Sequence, residues 1–163
     1  MKRFIIPIFI LFSCSNEEKY EAKWDSLDSR STPQWFKDAK FGIFIHWGLY
    51  SVPAWGPKGS YAEWYLKGLQ NGDTARTEYH FKKYGEDFRY RKFINLFNPT
   101  KYDPDKWANL FHKAGAKYIV LTSKHHDGFC LWPSEHSQGY NSVDGKANRD
   151  LLGDLNKAVK NKG

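Results

Sequence analysis

Two short runs of apolar residues stand out from an otherwise mixed sequence. Residues 41–45 (FGIFI) lie between Lys40 and His46, and residues 118–121 (YIVL) lie further along the chain. Runs of this length that do not alternate with polar residues are typical of strands buried on both faces of a sheet. We therefore predict two buried strands, one near residue 41 and the other near residue 118.

Amphipathic helices are predicted before and after the second strand. Over residues 102–116, apolar side chains recur at the i, i+3, i+4 and i+7 spacing of one helix face, at Trp107, Leu110, Phe111 and Ala114. Asp103 suits the N-cap, Pro104 the first turn and Gly115 the end of this helix. A second helix is predicted from about Asp150, with an apolar face formed by Leu152, Leu155 and Val159.

The order of these elements predicts an α/β fold. Continuous apolar strands that alternate with amphipathic helices are typical of a parallel sheet. In such folds, functional residues lie in the loops that follow the carboxyl ends of the strands. The connection after the first strand, residues 49–99, is far longer than the usual length of about two to six residues, which is typical of a functional loop. Within it, short helical stretches are predicted near residues 74–83 and 91–97.

Composition excludes several classes of protein. The 163 residues suffice for one ordinary domain, and a charged fraction of 26% with a mean hydropathy of −0.71 excludes a disordered chain and a polytopic membrane protein. Two cysteines exclude a disulfide-stabilised scaffold. The formal charge of +7 is spread along the chain without a basic stripe, so we expect no nucleic-acid partner.

The first 13 residues have the organisation of a secretory signal peptide. Lys2 and Arg3 precede an apolar run, residues 4–12, that is too short to span a bilayer. Residues 11–14 (LFSC) resemble the bacterial lipobox, in which the cysteine is lipidated. We therefore expect an exported bacterial lipoprotein, periplasmic or on the cell surface, that contacts the membrane only through a lipid anchor on Cys14. The alternative is a free cysteine behind an ordinary signal peptide.

The remainder of the chain is predicted to have two parts. Residues 14–32 are polar and are predicted to form a tether, and residues 33–163 are predicted to form the folded domain. Cys130 lies in the apolar context GFCLW, and we interpret it as a packing residue and not as a nucleophile.

Polar and aromatic residues collect where the two strands end. His46 follows the first strand, His125 and His126 follow the second, and the long connection contributes Glu63 and Trp64. Imidazole, carboxylate and indole groups together suit the recognition of sugar hydroxyls, because they donate and accept hydrogen bonds and offer a flat apolar surface. Each residue also has a structural interpretation, as the end of a strand or as core packing. Adjacent histidines in a regular strand point to opposite faces, so only a departure from the pleat lets both line one pocket.

A metal site is the competing interpretation of the histidines. The sequence contains no His-Glu-x-x-His and no Cys-x-x-Cys motif, and adjacent histidines are poorly placed to bind one ion. We therefore expect no metal and no cofactor.

Two blocks of sequence closely resemble the α-L-fucosidases of glycoside hydrolase family 29. They are residues 35–53 (WFKDAKFGIFIHWGLYSVP) and residues 114–132 (AGAKYIVLTSKHHDGFCLW). Three shorter segments, EWY at 63–65, NSVD at 141–144 and RDL at 149–151, fall in the order of that family. The resemblance covers residues 33–163, and its His-Trp-Gly and Lys-His-His-Asp-Gly blocks each end a predicted strand.

The resemblance implies a fold and an activity. It implies an α/β fold that forms the first two βα units of an incomplete (β/α)8 TIM barrel, and an enzyme that removes terminal α-L-fucosyl residues from glycans and glycoconjugates with retention of configuration. It further implies a set of residues that contact the fucosyl ring, namely His46, Glu63, Trp64, His125 and His126.

The same resemblance implies that catalysis needs residues outside this sequence. An aspartate nucleophile and a separate carboxylic acid/base are expected beyond Gly163, and a retaining glycosidase holds two such carboxyl groups roughly 5–5.5 Å apart. We therefore expect a polypeptide of these 163 residues alone to be inactive. A non-catalytic fucose-binding module and an inactive truncated product are the alternative interpretations.

Overall fold

The structure, a computed structural model, describes residues 20–162. The chain divides into two compact units, Met1–Asp38 and Ala39–Gly163. The predicted signal peptide and Cys14 lie outside the described residues. Helix α1, Trp24–Asp28, lies within the predicted tether, and helix α2, Gln34–Ala39, ends at the first residue of the second unit. Within residues 20–162, no helix is long and apolar enough to cross a membrane.

The second unit contains a parallel pair of strands. Strand β1, Gly42–Ile45, pairs with strand β2, Tyr118–Leu121, with Gly42 opposite Tyr118 and Ile45 opposite Leu121. One further hydrogen bond, from the Thr122 amide to the Ile45 carbonyl oxygen (2.9 Å), continues the pairing past the carboxyl ends of both strands. The prediction of an α/β fold with two parallel strands is confirmed.

The prediction that both strands are buried on both faces is wrong for the described residues. Phe44 and Val120 are register partners, and they are 62% and 37% exposed. Ile45 and Leu121 point the other way and pack against the hydrophobic core. An uninterrupted apolar run shows that both faces avoid water, but it does not show which part of a protein covers each face. Here the covering groups are not among residues 20–162.

The two predicted helices flanking β2 are present and pack against each other. Helix α5, Pro104–Lys113, has the predicted N-cap, since the Asp103 carboxylate accepts a hydrogen bond from the Lys106 amide (3.0 Å). Leu110 is 63% exposed and Ala114 is also exposed, so the predicted apolar face is wrong at these two positions, and Ala108 is the buried residue. The reason is that α5 buries the face that contacts the neighbouring helix, and this face is narrower than the one that the apolar positions in the sequence predict.

Helix α6, Leu151–Lys160, begins one residue after its N-cap, Asp150, whose carboxylate accepts a hydrogen bond from the Gly153 amide (2.8 Å). The predicted face is confirmed at Leu155, which is buried, and Leu152 and Val159 are partly buried beside the core.

The predicted end of α5 is also confirmed, because Gly115 adopts a positive φ of 82° just after the helix.

The long connection between β1 and α5 forms a substructure of its own. It contains helices α3, Tyr65–Gln70, and α4, Thr74–Tyr84, and three short 3-10 helices, Leu49–Ser51, Ala62–Trp64 and Tyr90–Asn95. The predicted helical stretches near 74–83 and 91–97 are thereby confirmed to within a few residues. The core that this connection shares with the rest of the unit is strongly aromatic, and its buried rings are Tyr50, Tyr65, Tyr90, Phe93, Phe97, Tyr102, Phe129 and Tyr140.

The segment after β2 folds back on itself before α6 begins. Isolated bridges join Lys124 to Cys130 and Cys130 to Asn141, and a 3-10 helix, Glu135–Ser137, lies between. Cys130 is buried at the centre of this arrangement, so its interpretation as a packing residue is confirmed.

Candidate functional site

The carboxyl ends of the two strands bring two predicted site residues together. His46 follows β1 directly, and His125 follows β2 after a short extension. The hydrogen bond between Thr122 and Ile45 fixes the two strand ends side by side. As a result the rings of His46 and His125 lie edge to face with centroids 5.6 Å apart, and the buried ring of Tyr50 contacts His125 at 5.0 Å.

The adjacent histidines share one side of the site because they lie in a turn and not in a strand. Strand β2 ends at Leu121, and the Gly128 amide donates a hydrogen bond to the carbonyl oxygen of His125 (3.0 Å). The alternation of a regular strand therefore does not apply here. Both rings contact Trp64, with centroids 6.1 Å away for His125 and 4.6 Å away for His126. The local departure from regular strand geometry, which both histidines need in order to line one pocket, is therefore present.

Glu63 and Trp64 reach the same place from the long connection. They lie in the 3-10 helix Ala62–Trp64, where Glu63 is half-buried and Trp64 is 40% exposed. A cavity of about 390 Å³ opens beside them, within the range of about 300–1,000 Å³ that is usual for small-molecule sites. Its lining residues are Glu63, Trp64, Leu66, Lys67, Gln70, His126 and Asp127.

A buried arginine holds the segment that carries Glu63 and Trp64. Arg76 is only 3% exposed, and its guanidinium donates hydrogen bonds to the carbonyl oxygen of Trp64 (3.2 Å), to Ser60 Oγ (3.0 Å) and to the carbonyl oxygen of Tyr61 (3.4 Å). Asp73, the N-cap of α4, pairs with the same guanidinium at 3.5 Å. Three points of the segment from Ser60 to Trp64 are thereby fixed by one charged side chain.

The turn that carries the two histidines has an anchor of its own. The Tyr90 hydroxyl donates a hydrogen bond to Asp127 Oδ2 (2.7 Å), across 37 positions of sequence. Burial, followed by the negative charge of Asp127, raises the pKa of the Tyr90 hydroxyl, which is therefore protonated and able to donate. The other carboxylate oxygen of Asp127 accepts a hydrogen bond from the Phe129 amide (3.1 Å).

Electrostatics at the strand ends favour a neutral imidazole. Burial, reinforced by the charge of His126, lowers the pKa of His125 below 6.5, and the negative charge of Asp127 opposes this. Three buried polar atoms beside the strand ends, Tyr50 Oη, Thr122 Oγ1 and His125 Nδ1, have no hydrogen-bond partner among the described residues.

All five predicted site residues converge, and several others were not predicted. His46 joins the group through its contact with His125, whereas Glu63, Trp64 and His126 line the cavity. Trp55 from the same connection lies apart, stacked on Tyr79 at 4.2 Å. Among residues 20–162, no group of three or more histidine, cysteine, aspartate or glutamate side chains is arranged to hold a metal ion.

Neither Arg76 nor Tyr90 carries a local sequence signal, because their roles depend on contacts with distant segments. Asp127 does carry one, since it follows the two histidines directly and an aspartate before a glycine often closes a turn.

Comparison with known proteins gives the family. The alpha-L-fucosidase family profile matches residues 9–163. The α-L-fucosidase of Dictyostelium discoideum is 45% identical over 167 residues, which cover 100% of this chain and 36% of that protein. The tissue α-L-fucosidase of Bos taurus is 45% identical over 148 residues, which cover 90% of this chain and 31% of that protein. The chain thus spans about a third of the length of the curated relatives it matches.

Solved structures give the same result. The α-fucosidase of Thermotoga maritima in complex with fucose matches with a TM-score of 0.82 and 51% identity, covering 89% of this chain and 35% of that one. A family 29 α-L-fucosidase from Bacteroides thetaiotaomicron matches with a TM-score of 0.64 and 39% identity, covering 82% of this chain and 28% of that one. The profile match over nearly the whole chain and these identities confirm the resemblance seen in the sequence, and the chain belongs to the alpha-L-fucosidase family.

Proposed function

We propose that this chain is the N-terminal part of an exported α-L-fucosidase that hydrolyses terminal α-L-fucosyl residues of glycans with retention of configuration. In this proposal, β1 and β2 and the helices that follow them are the first two βα units of a (β/α)8 barrel. The observation that carries the proposal is the convergence of His46, Glu63, Trp64, His125 and His126 at the carboxyl ends of two parallel strands, in a member of this family.

The chemistry of the five residues suits a monosaccharide. A neutral imidazole offers one hydrogen-bond donor and one acceptor, so each histidine matches a hydroxyl group, which also donates and accepts. The Glu63 carboxylate accepts from two neighbouring hydroxyls, and the partly exposed indole of Trp64 offers an apolar face to the ring carbons and methyl group of a fucosyl residue. The half-buried position of Glu63 strengthens such hydrogen bonds, because the local dielectric is lower than in water.

In this proposal the chain binds and orients the sugar, and later residues carry the bond-breaking step. The nucleophilic aspartate and the acid/base are expected beyond Gly163, within reach of the anomeric carbon and of the leaving oxygen.

The binding role is tested in the whole enzyme by replacing His46, Glu63 or His125 with Ala. If each one binds a sugar hydroxyl in the transition state, kcat/KM on an aryl α-L-fucoside should fall roughly 10²–10³-fold while the melting temperature stays near that of the wild type. The same measurements are made on His126→Ala, and the same fall in kcat/KM is expected. His112→Ala is the matched control, because this exposed histidine lies near the end of α5. Stable variants that keep wild-type efficiency would contradict the site assignment, and a wild-type enzyme that binds L-fucose without hydrolysis would favour a binding module.

The proposed lipid anchor is tested separately. Cys14→Ala should abolish incorporation of a clickable palmitate in a bacterial host, because the modified thiol is then absent. Cys130→Ala is the control, since that thiol is buried in the folded unit, and it should leave labelling unchanged. Labelling that persists in Cys14→Ala would show that the N-terminal segment is an ordinary signal peptide or an anchor of another kind.

A further inference from the structure

One hydrogen bond joins the aromatic core of the long connection to the turn that carries both histidines. It runs from the Tyr90 hydroxyl to Asp127 Oδ2 and is 2.7 Å long. Asp127 follows His126 directly, so a contact that holds its side chain also restrains the backbone that orients both imidazoles.

Asp127 is held from two sides. While Oδ2 accepts from Tyr90, Oδ1 accepts from the Phe129 amide (3.1 Å), which closes a local turn of the kind that aspartate commonly forms with the residue two positions on. The Gly128 amide donates to the His125 carbonyl oxygen within the same turn. The carboxylate therefore fixes the shape of the turn and also fixes its position relative to the core.

Tyr90 is a rigid partner for this contact. It is 7% exposed, and its ring packs edge to face on Phe93 at 5.4 Å and lies 6.3 Å from the ring of Tyr65. Tyr65 begins α3, immediately after Glu63 and Trp64. The anchor of the histidine turn and the segment that carries Glu63 and Trp64 thus share one packed aromatic cluster.

We propose that Tyr90 and Asp127 form a positioning pair that sets the orientation of His125 and His126 toward Trp64 in the sugar site. This proposal rests on the proposed function. Tyr90 does not line the cavity. Asp127 does, but both of its carboxylate oxygens accept hydrogen bonds within the protein, so the effect of the pair passes through the backbone of the turn. Hydrogen bonds to a sugar depend steeply on angle, and a misplacement of about 1 Å in a site can reduce the rate by about 100-fold.

The test uses two Tyr→Phe variants of the whole enzyme. Tyr90→Phe removes the hydroxyl that reaches Asp127 and keeps the packed ring. Tyr102→Phe is the matched control, because Tyr102 is equally buried, at 7% exposure, and its hydroxyl donates to the Leu151 carbonyl oxygen (2.9 Å) at the start of α6. Both variants should lose stability, since Tyr102→Phe loses a buried hydrogen bond and Tyr90→Phe loses a partly buried one.

Only Tyr90→Phe should change binding and catalysis. We expect kcat/KM on an aryl α-L-fucoside, normalised to the concentration of active sites titrated with a covalent inhibitor, to fall by about 10- to 100-fold. The inhibition constant of L-fucose should rise several-fold. A merely structural role would reduce the number of active molecules and leave both normalised quantities unchanged. Values for Tyr90→Phe within about twofold of those for Tyr102→Phe would overturn the proposal.

Two Asp127 variants distinguish a positioning role of the carboxylate from an effect of its negative charge. They also provide a test if Tyr90→Phe does not fold. In Asp127→Asn, the amide oxygen still accepts from Phe129, and the amide nitrogen donates to the Tyr90 hydroxyl oxygen, so the turn keeps its two contacts without the charge. This variant should retain most of the wild-type kcat/KM, whereas Asp127→Ala should lose as much as Tyr90→Phe or more. Equal losses in the two variants would show that charge matters and would overturn the positioning role.

Measurements of activity and L-fucose binding on the wild-type enzyme distinguish a failure of this proposal from a failure of the proposed function. A wild type with neither α-L-fucosidase activity nor binding of L-fucose would overturn the function and with it the role of the pair. An active wild type with unaffected Tyr90→Phe and Asp127→Ala variants would overturn the positioning role alone.

Discussion

Gly68 lies in α3 against the buried guanidinium of Arg76, and replacing it with Ala should destabilise the protein. A Cβ built on Gly68 would overlap Arg76 Nη1 and would approach Cδ and Cζ at 2.7 and 2.8 Å. Arg76 cannot swing into solvent without leaving its partners, because it is 3% exposed and holds Trp64 and Ser60.

The magnitude follows from opposing contributions. Ala is better than Gly in a helix by about 0.8–1 kcal/mol, so an unhindered substitution would stabilise α3. Overpacking a well-packed site costs about 1–3 kcal/mol, and a hydrogen bond that the buried Arg76 guanidinium loses costs about 1–3 kcal/mol. The net destabilisation is therefore about 2–4 kcal/mol. At about 2–4 °C per kcal/mol, a domain of 150–250 residues would lose roughly 5–15 °C of melting temperature, and the larger whole enzyme, which the activity assay requires, should lose less.

A double-mutant cycle with Arg76→Lys isolates the cause. Lysine lacks the Nη1 atom that the new Cβ would overlap, so Gly68→Ala should destabilise the Arg76→Lys protein much less than the wild type. The assay is the melting temperature of the four proteins together with their kcat/KM on an aryl α-L-fucoside. Because Arg76 also fixes the segment that carries Glu63, kcat/KM of Gly68→Ala should fall as well. A Gly68→Ala protein at least as stable as the wild type would refute the steric argument, and additive effects in the cycle would refute the role of Arg76.

Two further predictions follow from the pKa of His125 and from the cap of α6. Burial holds the folded-state pKa of His125 below its unfolded value of 6.5, so the unfolded chain takes up this proton first, and folding stability should decrease as pH falls from 6.5 through the folded-state pKa. An imidazole NMR titration of His125 with a midpoint at or above 6.5 would contradict this. Asp150→Ala removes the N-cap of α6 and should cost about 0.5–2 kcal/mol of stability, measured as a lower melting temperature, whereas Asp150→Asn should restore most of it.

Much of this architecture can be predicted from the sequence, because the local sequence signals agree with the folded structure. The apolar runs at β1 and β2, the caps Asp103 and Asp150 and the glycine after α5 each determine local structure with little outside help. The rule that parallel strands end at a common edge then places His46 and His125 together. The residue types of Glu63, Trp64 and His126 suggest that they belong to the same site, and the resemblance to one family implies the same set.

The sequence could not give what depends on contact between distant segments. Arg76 and Tyr90 lie in stretches without a motif, and their partners Trp64 and Asp127 are 12 and 37 positions away. The exposure of Phe44 could not be predicted either, because an apolar side chain is buried only where another part of the protein covers it. Hydrophobic pattern thus predicts elements and their approximate faces, whereas the groups that hold a site in place become visible only when the fold is known.

The two sides of the proposed sugar site are attached to the fold in different ways, and this difference has a consequence for the rates of binding and release. His46 directly follows a strand end that a backbone hydrogen bond joins to its neighbour, whereas the segment from Ser60 to Trp64 is held by the side chain of Arg76. Sheet hydrogen bonds open only with the unfolding of the strands, but a side-chain anchor releases a single segment at lower free energy. We therefore expect His46 to keep its place while the Glu63–Trp64 segment fluctuates, so that motions of this segment set the residence time of a sugar in the proposed site.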